Sequence, residues 1–432
     1  MARIVFAPLG TLGDLHPSIA VALACAARGH RAAVASHPGY RARVEAAGIE
    51  FHPVRPDLHD PADLHDVMTL AMDETTGSDY VVRQLVLPSL RDAYEDLMRA
   101  LPGADAVVSH SLGFAAAVAA EKLGIARYSQ VLQPLSLFSA YDPPVTPAMP
   151  MPQLTRRLGP AVWRVLWRLG RRQSRAWFRE VDALRAEAGL PASDAHPLFD
   201  AFSRELNLAS FPAALASPQP DWPPHTVLTG FCLYDRDELG AGLSHELRRF
   251  LDGGPPPIVF TLGSSGVWIG ASFYRAAAEA AHALGRRAVL LVGPEPRELP
   301  AALPDGVIAV DYAAHSELFP RTAAIVHHGG IGTTAQALRA GRPMVVVPLS
   351  HDQPDNAARC VRLGVARVVP RRQVSAARLA AALRVVLDDP AIAARAATIG
   401  EQTRAERGAE AATDAIEAAL EQRDASAVAA GR

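Results

Sequence analysis

AAIVHHGGIGTTAQALRAGRPMVVVPLSHDQPDNA, residues 323–357, is the stretch that decides the fold. An apolar run, Ala323 to Val326, ends in the pair His327–His328. Gly329, Gly330 and Gly332 then lead through Thr333 and Thr334 into an alanine-rich helical pattern. A second apolar run, Met344 to Val347, closes at Pro348 and is followed by Asp352 and Gln353. Strand, glycine turn, helix, strand is the repeating unit of a parallel sheet covered by helices. Glycines let a ligand approach the backbone closely. The first N–H groups of the helix and the positive end of its dipole favour a phosphate. The Thr333 and Thr334 hydroxyls add donors, and His327 or His328 is placed to donate to a pyrophosphate oxygen. Ligands of open parallel sheets sit beyond the carboxyl ends of the strands. The Asp352–Gln353 loop is therefore expected to face the same crevice and to hold a hydroxylated group.

Working outward, the same grammar recurs on both sides. The first half contains RIVFA (3–7), RAAVAS (31–36), IEFHPV, DAVVSH (105–110) and IARYSQV, with helices expected at about Ser18 to Arg28, Gly39 to Ala47 and 113–123. The pattern restarts after Pro257 with IVFTLGSS, AVLLVG, GVIAVDY, AAIVHH, PMVVVPL and VARVV. The chain is thus expected to be α/β, with one βα domain over 1–235, a second over 236–400, and a C-terminal helix and tail over 401–432. Of two proline-rich stretches, 141–153 and 211–224, the second is the candidate interdomain region. Proline lacks the N–H that a ladder needs.

Composition bounds the rest. The 432 residues correspond to roughly three average domains, or two large ones. Hydrophobic residues make up 49% and charged ones 20%, which excludes a disordered chain. Forty-three basic against 45 acidic residues give a net charge of −2, so a dedicated nucleic-acid binder is not expected. Cys25, Cys232 and Cys360 are odd in number and far apart, which excludes a disulfide scaffold and fits a reducing compartment. The N-terminus reads as a first strand, not a signal peptide. No apolar run approaches the roughly 18 residues of a membrane span. A soluble, cytoplasmic protein is expected.

Four other patterns in the sequence carry alternative chemistry. Gly330-x-Gly332-x-x-Ala335 matches a degenerate dinucleotide fingerprint, with Asp352 in the place of its acidic residue. That residue should close the second strand, however, and Asp352 falls several residues past it. SHSLG (109–113) approaches the hydrolase elbow, but Ser109 replaces the first glycine. His59, Asp60, Asp63, His65 and Asp66 are too loosely spaced for a metal site, and none is expected. The stretch 154–179 carries eight arginines and no acid, with Arg164, Arg168, Arg171, Arg175 and Arg179 at helical spacing. Val162, Trp163, Leu166, Trp167 and Leu169 provide an apolar surface there. Such a helix either packs over the first domain or lies on the inner face of an anionic membrane.

HHGGIGTT followed by PLSHDQPDN resembles the donor signature of family 1 glycosyltransferases with the GT-B fold. GTLGDLHP, at the N-terminus, is similar to the first loop of the sterol and antibiotic branch. PDWPPHTVLTGFCLYD and ELRRFLDGGPPPIVFTLGSS are similar to the bacterial rhamnosyltransferase subunit of rhamnolipid synthesis. The resemblance covers nearly the whole chain and implies two Rossmann-like doubly wound domains facing across a cleft. The first would bind the acceptor and the second a nucleotide sugar. Residue by residue it implies that Tyr312 stacks on the nucleobase while the backbone at Ala313 and Ala314 reads the base edge. His328, Thr333 and Ser264 would hold the diphosphate, and Asp352 and Gln353 the sugar hydroxyls. Gln336 falls where many UDP-sugar enzymes carry a glutamate for the ribose, which opens the choice between UDP and dTDP. Asp14, beside Gly13, stands where relatives carry the base that deprotonates the acceptor, with His16 as the alternative. His110 would line the acceptor crevice or cap its strand.

The implied reaction is an inverting, metal-independent transfer of a glucosyl- or rhamnosyl-type group. It would run from a UDP- or dTDP-sugar to a hydroxyl of a lipophilic acceptor, with no further cofactor. The competing expectations are a catalytically silent partner of a transferase and an NAD-dependent oxidoreductase. No nucleic-acid partner is expected.

Overall fold

The computed structural model describes residues 1–57, 61–146, 157–234, 242–266, 270–293, 299 and 302–429. The side chains at 61–64, 264, 265, 271 and 427 also lie outside the described set. His59, Asp60 and the Asp63 side chain therefore fall outside it, as do residues 147–156 of the proline-rich and basic stretches.

The apolar runs of the first half become parallel strands because alternate residues bury on opposite faces. Val5, Ala33 and Val107 pack on one face, and Ile4, Phe6, Val34 and Val108 on the other. These strands are β1 (Arg3–Ala7), β2 (Arg31–Ser36), β3 (Glu50–Pro53), β4 (Ala106–His110) and β5 (Ala126–Val131). Two further strands, β6 (Asn207–Ala209) and β7 (Thr226–Leu228), extend the sheet to the order β3-β2-β1-β4-β5-β6-β7. The second sheet holds β8 (Ile258–Thr261), β9 (Ala288–Leu291), β10 (Val307–Val310), β11 (Ala324–His327), β12 (Met344–Val346) and β13 (Ala366–Val368). Its order is β10-β9-β8-β11-β12-β13, again all parallel. Both orders turn back beside the first strand of their sheet, the doubly wound arrangement expected from the sequence.

Six helices bear on the site. They are α1 (Leu12–Ala27), α2 (Gly159–Ser174), α3 (Ile331–Ala340), α4 (Gln353–Arg362), α5 (Pro390–Ala405) and α6 (Gly408–Ala429). The first begins well before the expected Ser18. Thr11 caps it and Asp14 closes a capping box, so helix is under way before Pro17 is reached. A second expectation is corrected. The proline-rich stretch 211–224 joins β6 to β7 of the first sheet and is not the crossover from one sheet to the other, although Phe211 and Leu215 face the second domain. Three-residue strands flanked by prolines leave no run long enough to read as alternation.

The two domains share apolar contact. Val131, Leu137, Phe211 and Leu215 of the first pack in one cluster with Val259, Ile325, Ile331 and Leu338 of the second. The chain crosses between them twice. After β7 it passes into the second domain, and after α5 it returns, so that α6 packs on α1 through Ala412 and Ile416 against Cys25. Arg28 and His30 pair there with Glu417. The crossings touch each other: Glu406 accepts from the N–H groups of Ala213 (2.8 Å) and Phe231 (3.4 Å). A Cβ on Gly408 would stand 2.4 Å from the Phe231 carbonyl oxygen.

α2 splits its apolar residues between two faces. Trp163 is buried, and Trp167 meets Phe138 and Phe199 edge-on or tilted. Leu158, Val162, Val165 and Leu169 form an exposed stripe on the outside. The tryptophans thus anchor the helix to the domain instead of forming its outer surface.

Candidate active site

The loops after β1 and β4 in the first domain meet the loops after β11 and β12 in the second. The N-termini of α1 and α3 stand against each other, and a Cβ on Gly332 would lie 3.9 Å from the Gly13 Cα. Two positive helix ends converge on one spot, which concentrates a field suited to a polyanion.

Asp14 sits at this spot. Its Oδ2 accepts from the Thr11 N–H (2.8 Å) and from the Thr11 hydroxyl (3.4 Å). Gly10 makes room for this, since a Cβ there would stand 2.2 Å from Oδ2, and its φ of 129° favours glycine. Oδ1 faces His110 Nε2 at 3.7 Å, and the Asp14 side chain keeps 24% exposure, enough for a small group to reach it. Burial raises the Asp14 carboxyl above the usual carboxylate range, while His110 pulls the other way. His110 is the last residue of β4, and burial lowers its imidazole.

His16, the alternative base, belongs to a different face. It lies two residues on, roughly 200° around the helix. Its ring stands edge-on to Tyr234, with centroids 5.5 Å apart, and its charged neighbours are Arg43 and His315. Burial pushes it down to about 3. It does not share the Asp14–His110 pocket.

The two adjacent histidines separate in role. His327 is fully buried, and its Nδ1 accepts the Gly329 N–H at 3.1 Å while Nε2 lies 3.3 Å from the Met344 sulfur. It supports the loop from below and is corrected from ligand contact to scaffold. His328 lies in the glycine loop. A Cβ on Gly263 would approach its Cε1 to 2.4 Å, and one on Gly330 its Nε2 to 2.3 Å. Two glycines thus box the imidazole. Its Nδ1 is buried with no hydrogen-bond partner among the described residues, and burial pushes its pKa down to about 3. A bound anion would satisfy such a group. Thr333 and Thr334 follow in the first turn of α3, and the buried Thr334 hydroxyl is likewise without a hydrogen-bond partner.

Asp352 opens α4. Its Oδ2 accepts from Asn356 at 2.6 Å, and Asn356 also donates to the Gly329 carbonyl at 2.9 Å, tying this loop to the glycine loop. Burial pushes Asp352 up to about 7, with the charges of Asp14 and Asp355 adding to it. The Gln353 carbonyl accepts from Leu349 (2.8 Å) and Ser350 (3.2 Å), which leaves its amide donors for a ligand. Tyr312 is 45% exposed while Ala313 and Ala314 are buried. Gln336 borders a groove of about 270 Å³ together with His315, Ser316, Arg339 and Arg404. Ser264 lies on the Gly263–Gly266 turn, and its side chain is outside the described set.

One group at the domain boundary carried no sequence signal. Arg359 of α4 is fully buried and binds Asp355 at 2.8 Å, the Leu215 carbonyl at 3.1 Å, and Asp142 of the first domain. Asp355 in turn accepts the Val145 N–H at 3.0 Å. Ser350 donates to the Asp73 carbonyl (2.9 Å), and Arg371 to that of Met72 (2.8 Å). No group of three or more histidine, cysteine or acidic side chains that could hold a metal ion occurs among the described residues.

Residues 4–128 match the glycosyltransferase family 28 N-terminal domain, and residues 278–418 match the erythromycin biosynthesis protein CIII-like C-terminal domain. The chain is 34% identical to the O-mycaminosyltylonolide 6-deoxyallosyltransferase of Streptomyces fradiae over 96% of its length and 97% of that protein. It is 31% identical to the vancomycin aglycone glucosyltransferase of Amycolatopsis orientalis, over 84% of each chain. Among solved structures, the glycotransferase of kitacinnamycin superposes with a TM-score of 0.71 at 26% identity, covering 97% of this chain and 99% of that one.

Proposed function

The chain belongs to the family 1 glycosyltransferases of GT-B fold, and from that premise we propose that it transfers a hexosyl group, with inversion, from a nucleoside-diphosphate sugar to a lipophilic alcohol. The observation that carries this reading is the meeting of the α1 and α3 N-termini beside both His328 and Asp14. The diphosphate would lie on the glycine loop, where His328 Nδ1 and the Thr333 and Thr334 hydroxyls supply donors. Asp352 and the Gln353 amide would hold the sugar hydroxyls, and Tyr312 with Ala313 and Gln336 the nucleoside. Asp14 Oδ1 would take the proton of the acceptor hydroxyl as its oxygen attacks the anomeric carbon. The bond to the diphosphate breaks in the same step, and its electron pair leaves with the nucleotide.

Two helix dipoles and a histidine can absorb the leaving charge, so the reaction is proposed to need neither metal nor further cofactor. An acceptor hydroxyl is a poor nucleophile until a positioned base takes its proton, a contribution of about 10²–10⁴-fold. The relatives named above are, by name, a 6-deoxyallosyltransferase of O-mycaminosyltylonolide and a glucosyltransferase of the vancomycin aglycone. A polyketide, sterol or lipid alcohol is proposed as the acceptor class here. A cytoplasmic location, with the outer stripe of α2 resting on an anionic membrane, completes the reading.

The first test is calorimetric titration with UDP, dTDP and NAD in one buffer, followed by Asp14→Asn. Binding of UDP or dTDP without NAD, and loss of transfer in Asp14→Asn with nucleotide affinity retained, is the expected result. Normal turnover in that variant would remove Asp14 as base. Binding of NAD alone would overturn the donor assignment.

A further inference from the structure

His110 is not consumed by the donor site, and the resemblance left it either lining the acceptor crevice or capping its strand. Its surroundings are more specific than that. The ring stands at the end of β4, where the turn is held by the Gly113 N–H donating to the His110 carbonyl at 2.9 Å. A Cβ on Gly113 would lie 2.9 Å from that same oxygen, so the turn is tight. His110 Nδ1 accepts the Leu112 N–H at 3.1 Å. A ring nitrogen that accepts carries no proton, so the neutral ring carries its proton on Nε2. An imidazolium would set two donors against each other at Nδ1, and burial also opposes the charged form. Nε2 faces Asp14 Oδ1 at 3.7 Å. The other carboxylate oxygen is already held by Thr11.

We propose that His110 is the positioning residue for the base: the Leu112 N–H fixes the tautomer, and the Nε2–H so directed holds Asp14 Oδ1 ionised and aimed at the acceptor hydroxyl. The proposal rests on the reading of Asp14 as base. His110 keeps its proton throughout. The acceptor proton goes to Asp14, the new glycosidic bond forms at the anomeric carbon, and the electron pair of the broken bond leaves on the diphosphate. A separation of 3.7 Å is longer than a hydrogen bond, and contacts of this kind tighten when the reacting complex forms. Other titratable groups bear on the same carboxylate. Tyr40, whose hydroxyl donates to the Gly10 carbonyl at 3.1 Å, faces it from the first domain, and Asp352 faces it from the second. Both are common to all variants below, so a difference between variants reports His110.

Two substitutions separate the two ring nitrogens. His110→Asn keeps an acceptor where Nδ1 stood and removes the donor. His110→Gln places an N–H where Nε2 stood. The expected result for His110→Asn is a kcat about tenfold lower or more, with donor KM within about twofold. The acid limb of its pH profile should move up by about half a pH unit, because a carboxylate that loses a donor is harder to ionise. His110→Gln should recover most of kcat and the position of the limb. An unmoved limb in His110→Asn, or equal losses in both variants, overturns the proposal. If His110→Asn does not fold, nitrogen-15 NMR of the unaltered protein decides: the neutral Nε2–H tautomer upholds the proposal, and the Nδ1–H tautomer or an imidazolium overturns it. Full turnover in Asp14→Asn would sink the base reading itself. A silent Asp14→Asn with an unmoved limb in His110→Asn would sink this proposal alone.

Discussion

Asp352 stands at the start of α4 with its carboxyl pushed up to about 7 by burial, and with Asp14 and Asp355 adding repulsion. A carboxyl raised in the folded state favours folding while protonated. That contribution is present below the unfolded value of 3.8 and is lost as pH rises through about 7. Asp352→Asn mimics the protonated form. It should melt above the parent at pH 8, by about 1 °C for each kcal/mol of relieved strain, with the gap closing as pH falls toward 3.8. Its affinity for the nucleotide sugar should fall. Scanning calorimetry at two pH values with donor titration checks both, and a lower melting point at pH 8 would contradict the argument. At this scale the sequence is informative about residue type and silent about direction. HHGG reads as a phosphate loop, yet the choice of which imidazole faces the proposed ligand depends on the strand's last side chain turning inward to Met344. The partnership of Asp14 with His110 joins residues far apart in the chain, and no local pattern announces it.

Among the elements, α2 carries an unusual surface. Leu158, Val162, Val165 and Leu169 recur at helical spacing and are 41–58% exposed. Arg168 and Arg172 flank them and are exposed, with no hydrogen-bond or ion-pair partner among the described residues. Arg164, by contrast, binds the Tyr141 hydroxyl, and Arg171 binds Asp200. An apolar stripe between cations favours an anionic bilayer surface. Leu169→Asp should therefore reduce co-sedimentation with phosphatidylglycerol vesicles severalfold and leave neutral vesicles unaffected. Equal sedimentation of parent and variant would dismiss the membrane reading. The arginine repeat and the helix are plain in the sequence, whereas the sorting of its apolar residues is not. Trp167 turns inward because Phe138 and Phe199 offer ring partners from distant loops, and the buried Trp163 packs against Trp167. β6 and β7 escape a reading of the sequence for a related reason: neighbouring strands complete them, not their own three residues.

Over the whole molecule, the domains are locked by charge as well as by apolar contact. Arg359 binds Asp355 on its own helix and Asp142 across the boundary while fully buried. Removing one partner of such a group leaves uncompensated buried charge, a cost of about 3–5 kcal/mol. Arg359→Leu should lower the urea midpoint accordingly, and replacing Asp142 alone by Asn should cost less. An unchanged midpoint in Arg359→Leu would show that the two carboxylates do not need it. The halves of this architecture are legible from the recurrence of apolar runs, because each strand must bury both faces wherever it lies. The way the halves meet is not, since it depends on pairs such as Asp142 and Arg359 whose spacing carries no period. The two chain crossings add a mechanical consequence. Phe231 and Glu406 hold them side by side, so the domains are joined at one place by two pins instead of one flexible tether. Paired pins oppose twisting and drift of one half against the other and leave one axis of relative rotation.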